Sequence, residues 1–184
     1  LSIESIEGTG LNHGTAIFDA DPNGPNANAQ DQDLLVAGAG NVLMLQQLHY
    51  PHQSTPGIFD EPNDAAQGGM IEIVFATKMR VFSIDLIDIC AGDNEGAIVR
   101  VIDGAGCTRT YTVPAGFTSA GDGGIATLRL DTLDPQPGAA AVATAVTDPG
   151  FDGQTQRIEI ELEGSGAVDR LVYCPFFGLP LGGE

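Results

Sequence analysis

Five aspartates stand where a hard cation could use them. Asp19, Asp21, Asp31 and Asp33 bracket a stretch rich in Asn, Pro and Gly, and Asp169 lies on the last apolar segment of the chain. Calcium takes six to eight oxygens from carboxylates, Asn side chains and backbone carbonyls, and loops of this composition offer them without strain. A structural Ca2+ held by these five residues is therefore one expectation. The plainer reading is that Asp and Asn populate such loops because they make turns. No EF-hand spacing is present.

Other residues with chemical potential are harder to assemble into a site. Asp85 and Asp88 fall inside an otherwise apolar strand, where an unpaired charge is costly. Either a β-bulge turns one of them to solvent, the favoured reading, or both meet a cation or an arginine. The stretch Asp93-Asn94-Glu95-Gly96 reads as a tight loop that needs no function. His49 and His52, with His13 as a third ligand, invite a zinc reading, but Pro51 between them forbids a helix and no Cys or Glu completes the set. No GxSxG, HExxH, P-loop or GxGxxG motif occurs, and no His stands close to a Ser with an acidic third partner. A non-enzymatic protein is expected. Sugar recognition through ring stacking has a thin supply, with no Trp and three Tyr, of which Tyr111 and Tyr173 fall in strands and Tyr50 in a loop.

The elements that must position these residues are strands. Gly (25) and Pro (11) punctuate short apolar runs that alternate with period two. In Arg157-Ile158-Glu159-Ile160-Glu161-Leu162-Glu163 the apolar residues face a core and the charges face water. Further strands are expected at 15–19, 42–46, 70–75, 81–90, 97–103, 108–113, 125–130 and 168–174. About nine or ten short strands at this spacing indicate an all-β fold, a two-sheet antiparallel β-sandwich or barrel. The inward set is expected to include Phe18, Val42, Ile73, Phe75, Ile84, Leu86, Val101, Leu128, Ile158, Ile160, Leu162 and Leu171. Residues 42–45 and 82–89 are apolar on both parities, so those strands should be covered on both faces or carry a bulge. Residues 21–31, 49–69 and 131–152 read as long loops, with a helical turn or none at 139–145. One domain over 1–184 suits the length.

The 25 acidic and 7 basic residues give a net charge of −18, with Lys78 the only lysine. Nucleic acid is excluded as a partner, because phosphate backbones reward clustered Lys and Arg. No apolar run approaches the ~20 residues of a membrane-spanning helix. The sequence opens at Leu1 without Met or a basic leader, so a targeting segment is expected to have been removed and the chain to be secreted. Three cysteines allow at most one internal bridge. Cys90 and Cys107 should stand at opposite ends of a strand, about 15 Å apart at ~3.3 Å per residue, too far to bond. Cys90–Cys174 is the better pair, provided the last strand ends at the same edge. At the N-terminus, Leu1, Ile3 and Ile6 form an apolar strip within an extension over 1–10. It is expected to pair with an edge of its own sandwich or with an open edge of a neighbouring copy, the second of which would build a filament.

Several blocks are familiar in their order. Ile17-Phe18-Asp19 through Asp31-Gln32-Asp33-Leu34, Gly40-Asn41-Val42-Leu43-Met44-Leu45-Gln46, Gly68-Gly69-Met70-Ile71-Glu72-Ile73-Val74-Phe75, Val81 to Ile89, Val99 to Gly106 and Gly164 to Leu171 together resemble a group of exported bacterial β-sandwich domains. The resemblance implies a jelly-roll-like sandwich of surface-associated proteins, similar to calcium-containing carbohydrate-binding modules, and no activity. The chain departs from that pattern at residues 50–57, in the 131–152 loop and in its three cysteines. The expected function is an extracellular structural module that self-assembles in a surface fibre, layer or matrix; the alternative is a calcium-dependent module that binds polysaccharide or serves adhesion.

Overall fold

The computed structural model describes residues 2–6, 12–25, 31–47, 62–92, 94–121 and 123–176. These form eleven strands and no helix: β1 Ser2–Ile6, β2 Asn12–Asp19, β3 Asn41–Gln47, β4 Gly69–Ile87, β5 Ala97–Ile102, β6 Thr108–Val113, β7 Ile125–Arg129, β8 Gln136–Pro137, β9 Val142–Thr147, β10 Thr155–Leu162 and β11 Ala167–Pro175. Every strand pairing is antiparallel, along the path β2-β3-β11-β4-β10-β5-β6-β9-β8, with β1 and β7 added to β4. No described helix is long and apolar enough to cross a membrane.

One strand organises the whole. The expected strands at 70–75 and 81–90 are a single strand, β4, because Ala76-Thr77-Lys78-Met79-Arg80 contains no Gly, Pro, Asn or Asp to stop it. A straight strand of that length would hold Gly69 and Ile87 about 60 Å apart. Yet Leu162 pairs with Gly69 and Ala167 with Ile87, and residues 163–166 between them span at most about 18 Å. β4 therefore folds over, with a crest near Met79, where Thr155 of β10 and Pro175 of β11 both meet it. Its first half carries β1 and β10, its second half β7 and β11. Ile71, Ile73, Val99, Val101, Ile158 and Ile160 from one group share a single buried cluster with Ile84, Leu86, Leu128 and Val168 from the other, so the two groups pack as layers of a sandwich.

Eleven of the twelve residues expected inward are buried, and Leu171 is partly buried against the main cluster. On β10 the outward residues pair laterally: Arg157 Nη1 lies 3.1 Å from Glu72, and Glu161 lies 3.0 Å from Arg100 Nη1. Two-sided burial also holds. A second cluster of Phe18, Leu34, Val42, Met44, Ile87 and Ala167 covers the other face of β3 and of the end of β4. Residues 142–147, expected within a loop, form β9 instead. Val142, Thr144, Val146 and Thr147 favour a pleated strand over a helical turn.

The expected Cys90–Cys174 bridge is not formed, and all three cysteines are free thiols. Cys174 sits opposite Arg80 near the crest, while Cys90 lies beyond the far end of β4. Ten residues of strand, roughly 30 Å, separate them. Cys107 lies at the other end of β5 from Cys90.

Candidate metal centre

Away from the crest, the loops meet around a cavity of about 940 Å3. Asp31 and Asp33 come from the loop before β3, Asp64 from the approach to β4, Glu95 from the β4–β5 turn, and Glu163 and Ser165 from the β10–β11 link. Asp88 follows β4 directly and adopts a left-handed φ of 60°. That conformation costs a non-glycine residue of order 1 kcal/mol or more and ends the strand, aiming its carboxylate at the loops.

Backbone amides fix these carboxylates in place. Asp31 Oδ2 accepts the Asp64 N–H at 2.7 Å, Asp64 Oδ2 accepts the Gly166 N–H at 2.6 Å and the Ser165 hydroxyl, and Asp88 Oδ1 accepts the Gly123 N–H at 2.6 Å. Gly166 is required for this approach: its φ is 141°, and a Cβ there would crowd Ile89 and the Ile87 carbonyl. The Asp33 carboxyl stands within hydrogen-bonding reach of Asp31.

No Lys or Arg lines the cavity, and no ion pair among the described residues reaches Asp31, Asp33, Asp64 or Asp88. Burial consequently pushes Asp31 far above the usual carboxylate range, with the Asp33 carboxyl and the Asp64 charge adding to the effect. Burial also raises Asp64, against the opposing hydrogen bonds from Ser165 and Gly166. Asp88 is pushed up to about 7, again by burial first; the Gly123 N–H opposes this and the charges of Glu95, Asp33 and Asp64 reinforce it. Like charges in a low-dielectric site need protons or a cation.

The donor set bears on which class of ion could be held here. Carboxylates and a hydroxyl would suit a hard cation such as Ca2+. One thiol stands nearby: ligand atoms of Asp88, Cys90 and Glu95 lie within 4.8 Å of one another, with Cys90 Sγ 3.2 Å from Glu95 Oε2. Against this many oxygens, one sulfur does not make a soft-metal site.

Of the five aspartates read from the sequence, Asp31 and Asp33 line this cavity. Asp21 closes a turn by accepting the Asn23 N–H at 3.0 Å, and Asp19 packs against the Gly24 backbone with no room for a Cβ between them. Asp169 accepts the Arg170 N–H at 2.6 Å and faces Asp85 across β4. The first and last strands of the family-like block are not neighbours, because β3 lies between β2 and β11. Asp85 is not turned out by a bulge: Arg170 Nη2 reaches it at 2.6 Å and the Thr127 hydroxyl at 2.6 Å. Glu95, expected in a loop without function, is buried beside Asp88. His13, His49, His52, Tyr50 and Asp93 have side chains outside the described residues. Asp88 fits the less favoured of its two readings, and the signal for the missed Ser165 was modest: Gly164-Ser165-Gly166, a serine between two glycines. No family model matches the chain, and no relative is found among curated proteins.

Proposed function

We propose that the chain is a non-enzymatic structural module that works outside the cell, a calcium-stabilised β-sandwich that joins copies of itself in a surface fibre, layer or matrix. The observation that carries this reading is the set of buried carboxylates held by backbone amides without a cationic side chain, Asp31 and Asp64 in the cavity wall and Asp88 behind it. Ca2+ there would tie together loops from both layers and relieve the repulsion between them. Ser165 gives its hydroxyl to Asp64, an arrangement that suits a structural centre better than a nucleophile.

Assembly draws on β1. Ile3 pairs with Ile73 and Ile6 with Met70, so the strand occupies an edge of its own β4, while Leu1 lies outside the described residues. The same register accepts the equivalent strand of a neighbouring copy, since the main-chain ladder supplies the affinity. Exchange of that kind is head-to-tail and does not close, so it extends into a filament. Electron microscopy of the purified chain with Ca2+ and with chelator tests the proposal. Filaments are expected with Ca2+, and deletion of residues 1–7 should leave folded monomers. A full chain that stays monomeric at every Ca2+ concentration would refute assembly.

A further inference from the structure

At the crest, the opposite end of the sandwich from the acidic cavity, lies a second cavity of about 260 Å3. The eight residues of β10, about 23 Å of strand, separate Thr155 in its wall from Leu162 at the acidic end. Its lining inverts the chemistry of the first. Arg80 and Arg109 both contribute, each with its guanidinium over an aromatic ring, Arg80 5.1 Å from the centroid of Phe82 and Arg109 5.0 Å from that of Phe151. Neither has a carboxylate within ion-pair distance among the described residues, in a chain with 25 acids and 7 bases.

The two acids of the cavity wall are already engaged. Asp131 is held in a two-pronged pair by Arg129 at 3.1 Å through both Nε and Nη2. Asp152 pairs with Lys78 at 3.3 Å and accepts the Gln154 N–H at 2.8 Å. Two donors of the wall are only partly engaged: Arg109 Nη1 bonds the Leu130 carbonyl at 3.2 Å and the Tyr111 hydroxyl stands within reach of the same side chain, but the buried Nε makes no well-formed hydrogen bond, and neither does the buried hydroxyl of Thr155. Phe151, Phe176, Val101 and Leu130 supply apolar wall beside these donors. Unpaired guanidiniums beside aromatic faces fit an anion with a flat or ring-shaped body.

We propose that this cavity binds a carboxylate carried on a six-membered ring, with Arg80, Arg109 and Thr155 addressing the acid group and Phe151 and Phe176 the ring. A uronic-acid residue of an acidic polysaccharide and a free aromatic acid both present that chemistry. The site goes beyond the calcium reading and is independent of it, because none of its residues lines the acidic cavity.

The test is titration of the full chain, in chelator, with glucuronate and benzoate and with their neutral counterparts glucose and benzamide, followed by calorimetry and by NMR of the Phe and Thr155 resonances. At least one acid should bind about tenfold or more tightly than its neutral counterpart, a difference near 1.4 kcal/mol. Arg109→Gln and Arg80→Gln should each weaken that acid about tenfold, and Arg80→Lys should weaken it less. Among the described residues Arg80 makes no hydrogen bond to a backbone carbonyl, so its variants keep the test valid should Arg109→Gln unfold. Glucuronate alone would identify the sugar source, benzoate alone the free aromatic acid, and both together a site that reads charge and ring only. The proposal is overturned by no binding of either acid at about 10 mM, by equal binding of acid and neutral forms, or by Arg80→Gln binding as the parent does.

Discussion

The two ends of this sandwich use charge in opposite ways. At the crest, Asp131 and Asp152 are paired with Arg129 and Lys78, and two arginines remain to spare. At the loop end, Asp31, Asp33, Asp64 and Asp88 stand together without one base among them. The chain has few cations to distribute, and it places them along the sheet and at the crest rather than among the loop acids. The difference teaches that the loop end gathers buried acids without a cationic side chain, so that bound protons or a cation from solution would relieve their repulsion.

The largest test of that contrast is metal addition. Ca2+ at a hundredfold excess over its dissociation constant should stabilise the fold by about 2.7 kcal/mol, or roughly 5–10 °C in melting midpoint for a domain of this size. Asp64→Asn should remove most of the response while stabilising the metal-free form, because it lifts one repelling charge. An unchanged midpoint with saturating Ca2+ counts against the site.

Next in size is the dependence on pH in chelator. Folded Asp88 titrates near 7, well above its unfolded value of 3.8, and Asp31 and Asp64 shift in the same direction. The folded state then binds more protons than the unfolded state between about pH 4 and pH 7, so metal-free stability should fall as pH rises through that window. Melting at pH 5.5 and pH 8 checks this, with at least ~2–4 °C expected between them, equivalent to about 1 kcal/mol. Saturating Ca2+ should flatten or reverse the trend, since the metal requires ionised ligands.

Two smaller substitutions sharpen the comparison from the paired side. Asp85→Ala removes the acceptor for Arg170 and Thr127 in mid-sheet and should cost about 1–2 kcal/mol in chemical denaturation, the exposed Arg170 remaining free to find water. Arg129→Ala at the exposed crest should cost about 0.5 kcal/mol or less. If Arg129 mattered as much as Ca2+, the two ends would not differ as described.

Much of the fold was legible in the sequence because burial writes itself with period two, as in Ile158, Ile160 and Leu162. Continuity across 76–80 was not, since a strand that folds over at a polar crest looks like two strands separated by a loop. The candidate metal centre was half legible. Asp31 and Asp33 advertise themselves in an Asn- and Gly-rich loop, whereas Asp64 meets Ser165 across 101 residues of chain and Asp88 hides in what reads as strand. Pairings of that span depend on the order of strands in the sheet, and no local pattern encodes it. The same ignorance misplaced Asp169 and Cys174: both lie on the strand expected, but its neighbours were unknown.

The folded-over strand also sets the order in which the molecule can form. β4 has no neighbour close to it in the chain: its partners are residues 2–6, 125–129, 155–162 and 167–175. A nascent chain that has released β4, a strand of nineteen residues, can pair it only with β1 until β7, β10 and β11 have followed. Non-local pairing of this kind makes for slow folding. It makes arrival of β10 and β11 the event that commits both layers at once. Refolding should be slow and single-phased, and a chain cut before Thr155 should not fold at all.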